Sequence, residues 1–285
     1  MTYKRILTVQ DISCVGQCSL TAALPILSAC GLETCILPSA VLSTHSVGFK
    51  GYTFRDLTED MPAIQKHWQK EGIRFDAFYA GYLGNRKQID YVKDLFSSMG
   101  TAACLRFVDP VMADCGKLYP GFDDAYVEAV KDLCRKADYI LPNITEASLL
   151  TGMEYRKNYN EAYIEEMMQR LSSLGPKTII LTGVGYVPEK TGVAAYENGQ
   201  FYYYAHDKIN TVCHGTGDIF ASAFVGAVLN GLHTAQAVKV AADYTCQCIV
   251  NSQDDKSHWY GVKFETAIKD LMRNLDPNVA DSIMT

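Results

Sequence analysis

The chain has 285 residues, and its 26 Lys and Arg against 32 Asp and Glu give a formal net charge of −6. Hydrophobic residues make up 48% and charged residues 20%, which excludes a disordered or fibrous chain and allows one large core. The acidic balance, with no basic run, excludes a nucleic-acid binder, and no apolar run reaches the ~18 residues of a membrane span.

Residues 1–5 lead straight into an apolar strand at 6–9, with no signal-peptide segment expected before it. A helix over 20–29 follows, stopped by Gly31, and 35–42 reads as a second strand. Residues 59–71 are expected to be helical, with Pro62 tolerated in the first turn. Then come a strand at 75–80, a helix at 86–98, a strand at 104–108 and a helix at 123–136. A short strand at 139–141, a helix at 161–174 and a strand at 178–181 continue the alternation. Asn198-Gly199 joins strands 192–197 and 200–205 as a hairpin, and helices at 215–230, 234–251 and 263–274 end the pattern. Alternation of this kind predicts an α/β fold, a mostly parallel central sheet covered by helices on both faces. One domain over 1–285 is expected, with the polar, Gly-rich segment 43–56 as a flap. Ten cysteines without a C-x-x-C pair predict reduced thiols and a cytoplasmic protein, not a zinc site or a disulfide framework.

Such sheets bind ligands beyond the carboxyl ends of their strands. Those ends read Gln10-Asp11, Ser43-Thr44-His45, Gly81-Tyr82, Asp109, Pro142-Asn143, Thr182-Gly183 and His214-Gly215, polar or Gly-rich at nearly every position. The most informative stretch is His214-Gly215-Thr216-Gly217-Asp218, because Gly-x-Gly before a long apolar helix points backbone N–H groups at an anion. Asp218 can act there as a base toward an attacking hydroxyl, or it can simply complement the helix dipole. Neither a P-loop nor a dinucleotide fingerprint is present. Asp109-Pro110-Val111-Met112-Ala113-Asp114 and Pro142-Asn143-Ile144-Thr145-Glu146 stand at adjacent strand ends, and two acids with an amide there suit a hydrated Mg²⁺, although Asn143 and Thr145 can equally cap a helix, and Asp109 can close a turn. Cys213 beside His214 has no third partner for nucleophilic catalysis, and Trp259-Tyr260 is expected to anchor the surface to the core.

His214-Gly215-Thr216-Gly217-Asp218 resembles the catalytic signature of the ribokinase-like superfamily. Gly81-Tyr82-Leu83-Gly84, Asp109-Pro110-Val111-Met112 and Pro142-Asn143-Ile144-Thr145-Glu146 resemble its vitamin B6 branch, the pyridoxal (pyridoxine, pyridoxamine) kinases. The matches run in the family's order from residue 5 to about 250. The resemblance implies a three-layer α/β/α sandwich and ATP-dependent phosphorylation of the 5′-hydroxymethyl of a B6 vitamer, in pyridoxal 5′-phosphate salvage. It implies Asp218 as the base, Gly215, Thr216 and Gly217 as the anion hole, and Asp11, Ser46, Val47 and Tyr82 along the vitamer. Asp109, Asn143, Glu146, Thr182 and Thr211 would follow the nucleotide, with Asp114 and Glu146 at Mg²⁺. Thr182 alone reads equally well as a turn residue. K⁺ as a second cation and a homodimer are further expectations of the family.

The chain also departs from that family. B6 kinases usually read Gln-Ser-His where this chain reads Gln10-Asp11-Ile12, and Phe49 replaces a usual tyrosine. Asp11 and His214 are similar to the hydroxymethylpyrimidine kinases of thiamine synthesis, which usually carry Cys where Asp218 stands. A hydroxymethylpyrimidine kinase is therefore the first alternative, and a non-catalytic nucleotide-binding protein of the same fold the second.

Overall fold

Residues Arg5–Ser13 form strand β1 of the computed structural model, which describes residues 3–211 and 213–276. The strand runs past the apolar stretch 6–9 because Ile12 and Ser13 continue the pairing with the next strand. Next in the chain are α1 (Leu20–Ala29), β2 (Glu33–Leu42), β3 (Phe54–Asp56), α2 (Met61–Lys70), β4 (Phe75–Ala80) and α3 (Arg86–Ser98). Then come β5 (Gly100–Val108), a small hairpin β6 (Ala113–Asp114) and β7 (Lys117–Leu118), α4 (Asp124–Cys134), β8 (Tyr139–Ile140) and α5 (Ile144–Thr151). The order closes with α6 (Glu161–Ser172), β9 (Thr178–Thr182), β10 (Lys190–Glu197), β11 (Gln200–Asp207), α7 (Thr216–Leu229), α8 (Thr234–Val250) and α9 (Ile268–Asn274). Among the described residues no helix is long and apolar enough to cross a membrane.

The chain divides into two compact units, one of residues up to Met61 with those from Ile209 on, the other Pro62–Lys208. In the first, β1 and β2 are parallel and β3 pairs antiparallel to β2. A register shift places Asp11 alone opposite Ser39 and Ala40, a bulge in β2 beside Asp11. Asp11 therefore lies inside the first strand, not beyond its end as the apolar run implied. Helix α7 is buried almost all round, from Ile219 to Ala227, and packs against α1 and α8. The helix expected at 263–274 is broken: Phe264–Ala267 is a 3-10 turn, and only then does α9 begin.

In the second unit, β4, β5, β8 and β9 are parallel neighbours, and β10 and β11 add an antiparallel edge. Ala77 to Ala80 of β4 are all buried, the continuous apolar run of a strand covered on both faces. Asn198 and Gly199 take φ 52° and 81°, the left-handed pair that a two-residue hairpin turn requires. The hairpin β6–β7 escaped the sequence reading because its two-residue strands carry no periodicity.

Close packing of α1 on α7 rests on Gly226, where a Cβ would lie 2.4 Å from the Cys30 sulfur. Alanine favours a helix over glycine by about 1 kcal/mol, but overpacking a filled core costs about 1–3 kcal/mol. Gly226→Ala is therefore expected to lower stability in denaturant unfolding, and the Gly226→Ala/Cys30→Ala pair to recover part of the loss non-additively. A Gly226→Ala protein as stable as the parent would show that the two helices are not in tight contact.

Candidate active site

Gly215 caps α7 with φ 77°, and a Cβ there would sit 2.0 Å from the Gln17 carbonyl oxygen. Only glycine fits. It has no side chain to accept from the first-turn N–H groups, so the start of this 14-residue helix presents them without a side-chain cap. Around Gly217 a Cβ would meet nothing within 4 Å, so that turn is open. Asp218 follows in the first turn and keeps partial exposure, while its Oδ2 accepts from the Ser19 backbone N–H at 3.0 Å. Burial of its carboxyl pushes the pKa up to about 6; the Ser19 N–H opposes the shift, and Asp11 adds to it.

Asp11 is 6% exposed, and its Oδ2 accepts from the Ser13 hydroxyl at 3.0 Å. Burial raises its pKa, while the Ser19 and Ser13 hydroxyls and His45 pull it back. Both carboxylates act on the Cys18 thiol, which burial already pushes far up, so Asp11, Cys18 and Asp218 lie close enough to interact. His45 is held at both ring nitrogens. Nε2 lies 2.7 Å from the Tyr260 carbonyl, which can only accept, so Nε2 carries the proton and Nδ1 accepts the Val47 N–H at 3.2 Å. These two contacts fix the orientation of the ring. The His214 ring lies 5.7 Å from that of His45, and burial, then His45, lower its pKa. Ser46 and Val47 are exposed beside this pinned histidine. Burial raises the Cys213 thiol, which leaves no activated thiolate there. Trp259 is 46% exposed, so it does not anchor surface to core as expected; its ring packs on Phe49 at 4.7 Å.

The second unit gathers a different set. Asn143 caps α5 in a capping box: its Oδ1 accepts the Glu146 N–H, and Glu146 Oε2 accepts the Asn143 N–H, both at 2.9 Å. Glu146 Oε1 reaches further, accepting the Met112 N–H at 3.1 Å. Asn143 Nδ2 donates to the Ala113 carbonyl at 2.8 Å, and Thr145 Oγ1 accepts from Gly116 at 3.0 Å. Three residues of α5's start thus clamp the 112–116 segment that carries Asp114. Burial drives the Glu146 pKa upward against these N–H groups, and Asp114 raises it further. Thr182 ends β9 bridged to Asn143, with its N–H on the Pro142 carbonyl at 3.0 Å. Asp109 is buried at the end of β5, where its carbonyl accepts the Val111 N–H at 2.9 Å and closes the turn. Tyr82 lies 5.9 Å from the Phe122 ring, and Thr211 belongs to the first unit, its N–H on the Ile209 carbonyl at 2.9 Å.

The sequence-derived residues therefore collect as Asp11, Gly215 and Asp218 in one unit and Asp114, Asn143, Glu146 and Thr182 in the other. Ser19 and Gln17 escaped notice because they act through backbone atoms on residues about 200 positions away. Among the described residues no three His, Cys, Asp or Glu side chains form a metal cage. Asp114 and Glu146 are close enough to interact, and a hydrated Mg²⁺ asks for only one or two carboxylates beside phosphate oxygens, so the donor set fits that ion.

The phosphomethylpyrimidine kinase model matches residues 20–262. A candidate phosphomethylpyrimidine kinase from Bacteroides thetaiotaomicron, solved with pyridoxal, is 35% identical with a TM-score of 0.89, covering 95% of this chain and 96% of its own. A pyridoxal kinase from Lactobacillus plantarum is 29% identical with a TM-score of 0.88, over 95% of this chain and 97% of its own. A hydroxymethylpyrimidine/phosphomethylpyrimidine kinase from Bacillus subtilis is 28% identical over 221 residues, 75% of this chain and 77% of its own. The α/β, ribokinase-like fold that the motifs implied is thus shared with solved kinases over nearly the whole chain. With its Gly215-to-Asp218 turn inside the matched span, the chain belongs to the phosphomethylpyrimidine kinase family.

Proposed function

We propose that this protein is a kinase of vitamin B6 vitamers that transfers the γ-phosphoryl group of ATP to the 5′-hydroxymethyl of pyridoxal, pyridoxine or pyridoxamine, in pyridoxal 5′-phosphate salvage. One observation carries the reading: a carboxyl raised to about 6 sits in the first turn of a helix whose N–H groups are left uncapped by glycine. A base of that pKa is ionised at neutral pH, yet basic enough to take a proton in the transition state. Asp218 takes the hydroxyl proton as the oxygen attacks the γ-phosphorus. The bond from that phosphorus to its bridging oxygen breaks, and ADP leaves with the electron pair. N–H groups of the Gly215–Gly217 turn stabilise the charge on the transferring oxygens.

Asp11, Ser46, Val47 and Tyr82 are the residues assigned to the vitamer, and Asp109, Asn143, Glu146, Thr182 and Thr211 to the nucleotide. Asp114 and Glu146 would hold Mg²⁺ through water, supplying positive charge against the phosphate oxygens, with K⁺ as a further cation. The active form is taken as a single kinase domain with segment 43–56 as its flap, a homodimer in the cytoplasm. Ten free cysteines are in keeping with a reducing compartment.

The pyridoxal of the Bacteroides structure and the activity of the Lactobacillus relative support the vitamer as substrate. The Bacillus relative favours hydroxymethylpyrimidine as the second reading. A carboxylate at 218, where those kinases usually have cysteine, weighs for the B6 reading. A coupled ADP-release assay on pyridoxal, pyridoxine, pyridoxamine and hydroxymethylpyrimidine decides between the two. Turnover of the pyrimidine alone would overturn the vitamer assignment.

Asp218→Asn removes the base and keeps an acceptor for the Ser19 N–H, so kcat is expected to fall by about 10²–10⁴-fold with little change in ATP affinity. Near wild-type turnover would falsify the role. The same variant carries a stability signature. The folded pKa of about 6 lies above the ordinary aspartate value of 3.8, so the favourable contribution of Asp218 is complete below about pH 4 and lost as pH rises through 6. Asp218→Asn should therefore raise Tm at pH 7.5 and match the parent near pH 4. A constant Tm difference across that range would show that the carboxyl is not desolvated.

The metal pair separates by its hydrogen bonds. Asp114→Asn keeps an acceptor for the Cys115 N–H and loses only charge. It should raise the Mg²⁺ concentration for half-maximal activity while leaving Tm unchanged. Glu146→Gln loses charge and also turns an amide NH₂ toward a backbone N–H, so it should lower both activity and Tm. Overlaid Mg²⁺ titrations for Asp114→Asn and the parent would remove Asp114 from the metal site.

A further inference from the structure

Trp259 is large, aromatic and half in solvent, an arrangement that core packing alone does not explain. Its buried side lies on segment 45–49. A Cβ on Gly48 would be 2.6 Å from the Trp259 ring, so the indole rests directly on the backbone there. Phe49 meets Trp259 at 4.7 Å and Tyr260 at 6.0 Å between ring centroids, and His45 meets Phe49 edge-on at 5.1 Å. The Tyr260 carbonyl accepts the His45 Nε2–H, and the freed Nδ1 accepts the Val47 N–H. Segment 259–260 thus holds 45–49 at its first residue, by a hydrogen bond, and at its last two, by ring packing.

The holding segment is itself fixed. Asp255 accepts from the Ser257 N–H at 3.0 Å and pairs with Lys263 at 2.6 Å, closing the loop at its base. Lys263 N–H donates to the Ser252 hydroxyl at 2.7 Å, tying the loop to the end of α8. Gly261 packs on Gln17, where a Cβ would lie 2.6 Å from the Gln17 Cβ, and Gln17 is the residue whose carbonyl closes on Gly215. One short segment after α8 therefore touches both the strap at 45–49 and the turn that sets the start of α7.

We propose that Trp259 and the Tyr260 carbonyl are positioning groups that hold the 45–49 strap so that Ser46 and Val47 stand ready for the ring of the substrate. This rests on the kinase reading above, in which Ser46 and Val47 line the vitamer. Pre-ordering a binding strap lowers the entropy lost on binding, so its removal weakens ring binding and leaves the chemical step alone.

Two measurements on Trp259→Ala, Trp259→Phe, Phe49→Ala and the double alanine variant test the proposal. The first is amide hydrogen exchange at 45–49 in the ligand-free protein, which needs no substrate. Loss of an aromatic contact of this kind should speed exchange there by about fivefold in Trp259→Ala, with Trp259→Phe close to the parent. The second is steady-state kinetics. The KM for pyridoxal should rise by about five- to tenfold in Trp259→Ala, with kcat and the KM for ATP within about twofold. The double variant should lose no more than the worse single one, because both substitutions break the same contact. Unchanged exchange at 45–49, or faster exchange with an unchanged pyridoxal KM, overturns the positioning role. A parent enzyme inert toward every vitamer overturns the functional reading instead, and the exchange data still decide whether Trp259 holds the strap.

Discussion

The contact between the Gln17 carbonyl and the backbone of Gly215 fixes the chemistry of the first unit. A carbonyl oxygen 2.0 Å from where a Cβ would lie admits one residue type, at a φ of 77° that glycine adopts without strain. Two consequences follow. The helix starts with no side chain on its cap, so its first N–H groups remain available to an anion. The turn before α1 lies close enough for the Ser19 N–H to reach Asp218, and that backbone donor orients the carboxylate. Backbone atoms on both sides make this a rigid arrangement, one that side-chain rotamers do not loosen.

Rigidity is achieved at a cost in stability. Asp218, Asp11 and Glu146 are carboxyl groups held where burial raises their pKa, and each is opposed by N–H or O–H donors that do not fully compensate. A fold selected for stability alone has no reason to bury three acids, since apolar replacements of similar shape avoid the desolvation. Glu146 differs from the others in having both oxygens engaged by backbone N–H groups of 112 and 143. It ties the 112–116 segment to α5, and on the kinase reading its carboxylate would act on a cation from within that clamp. The capping box of Asn143 and Glu146 is observed, and it is compatible with the metal reading of the same segment, because the cap holds the acid in place.

Much of this was legible in the residues. Alternating apolar runs mark most of the strands and helices in order, though not β3 or the span of α5; Asn198-Gly199 marks the hairpin, and Gly215-Thr216-Gly217-Asp218 marks a helix start with no side-chain cap. What escaped has a common cause. The bulge at Asp11 depends on Ser39 and Ala40 of the neighbouring strand, and the Ser19 donor depends on a chain reversal 199 residues away. Trp259 is a case of the same kind: a large aromatic reads as a core anchor until its partner, Phe49, is seen to be a loop residue. Local pattern reports period and propensity; it does not report which distant backbone group stands opposite.

Asp11 draws these strands together. A register shift in the ladder falls at this residue, and its electrostatic coupling to Asp218 and Cys18 sets a second carboxyl near the one proposed as base. Two acids that close resist being charged together, so whichever ionises second does so at a raised pKa. A positively charged group entering the cluster relieves that repulsion and lets both acids ionise. A pyridine nitrogen is basic enough to enter protonated, whereas a pyrimidine nitrogen is much less so. On the vitamer reading, the aspartate in place of the usual serine thus ties ring recognition to activation of the base. A protonated pyridine ring paired with Asp11 leaves Asp218 the freer of the two to take the hydroxyl proton, and a neutral ring does not. On that reading, selection between the two ring classes would follow the charge each brings to this pair of acids.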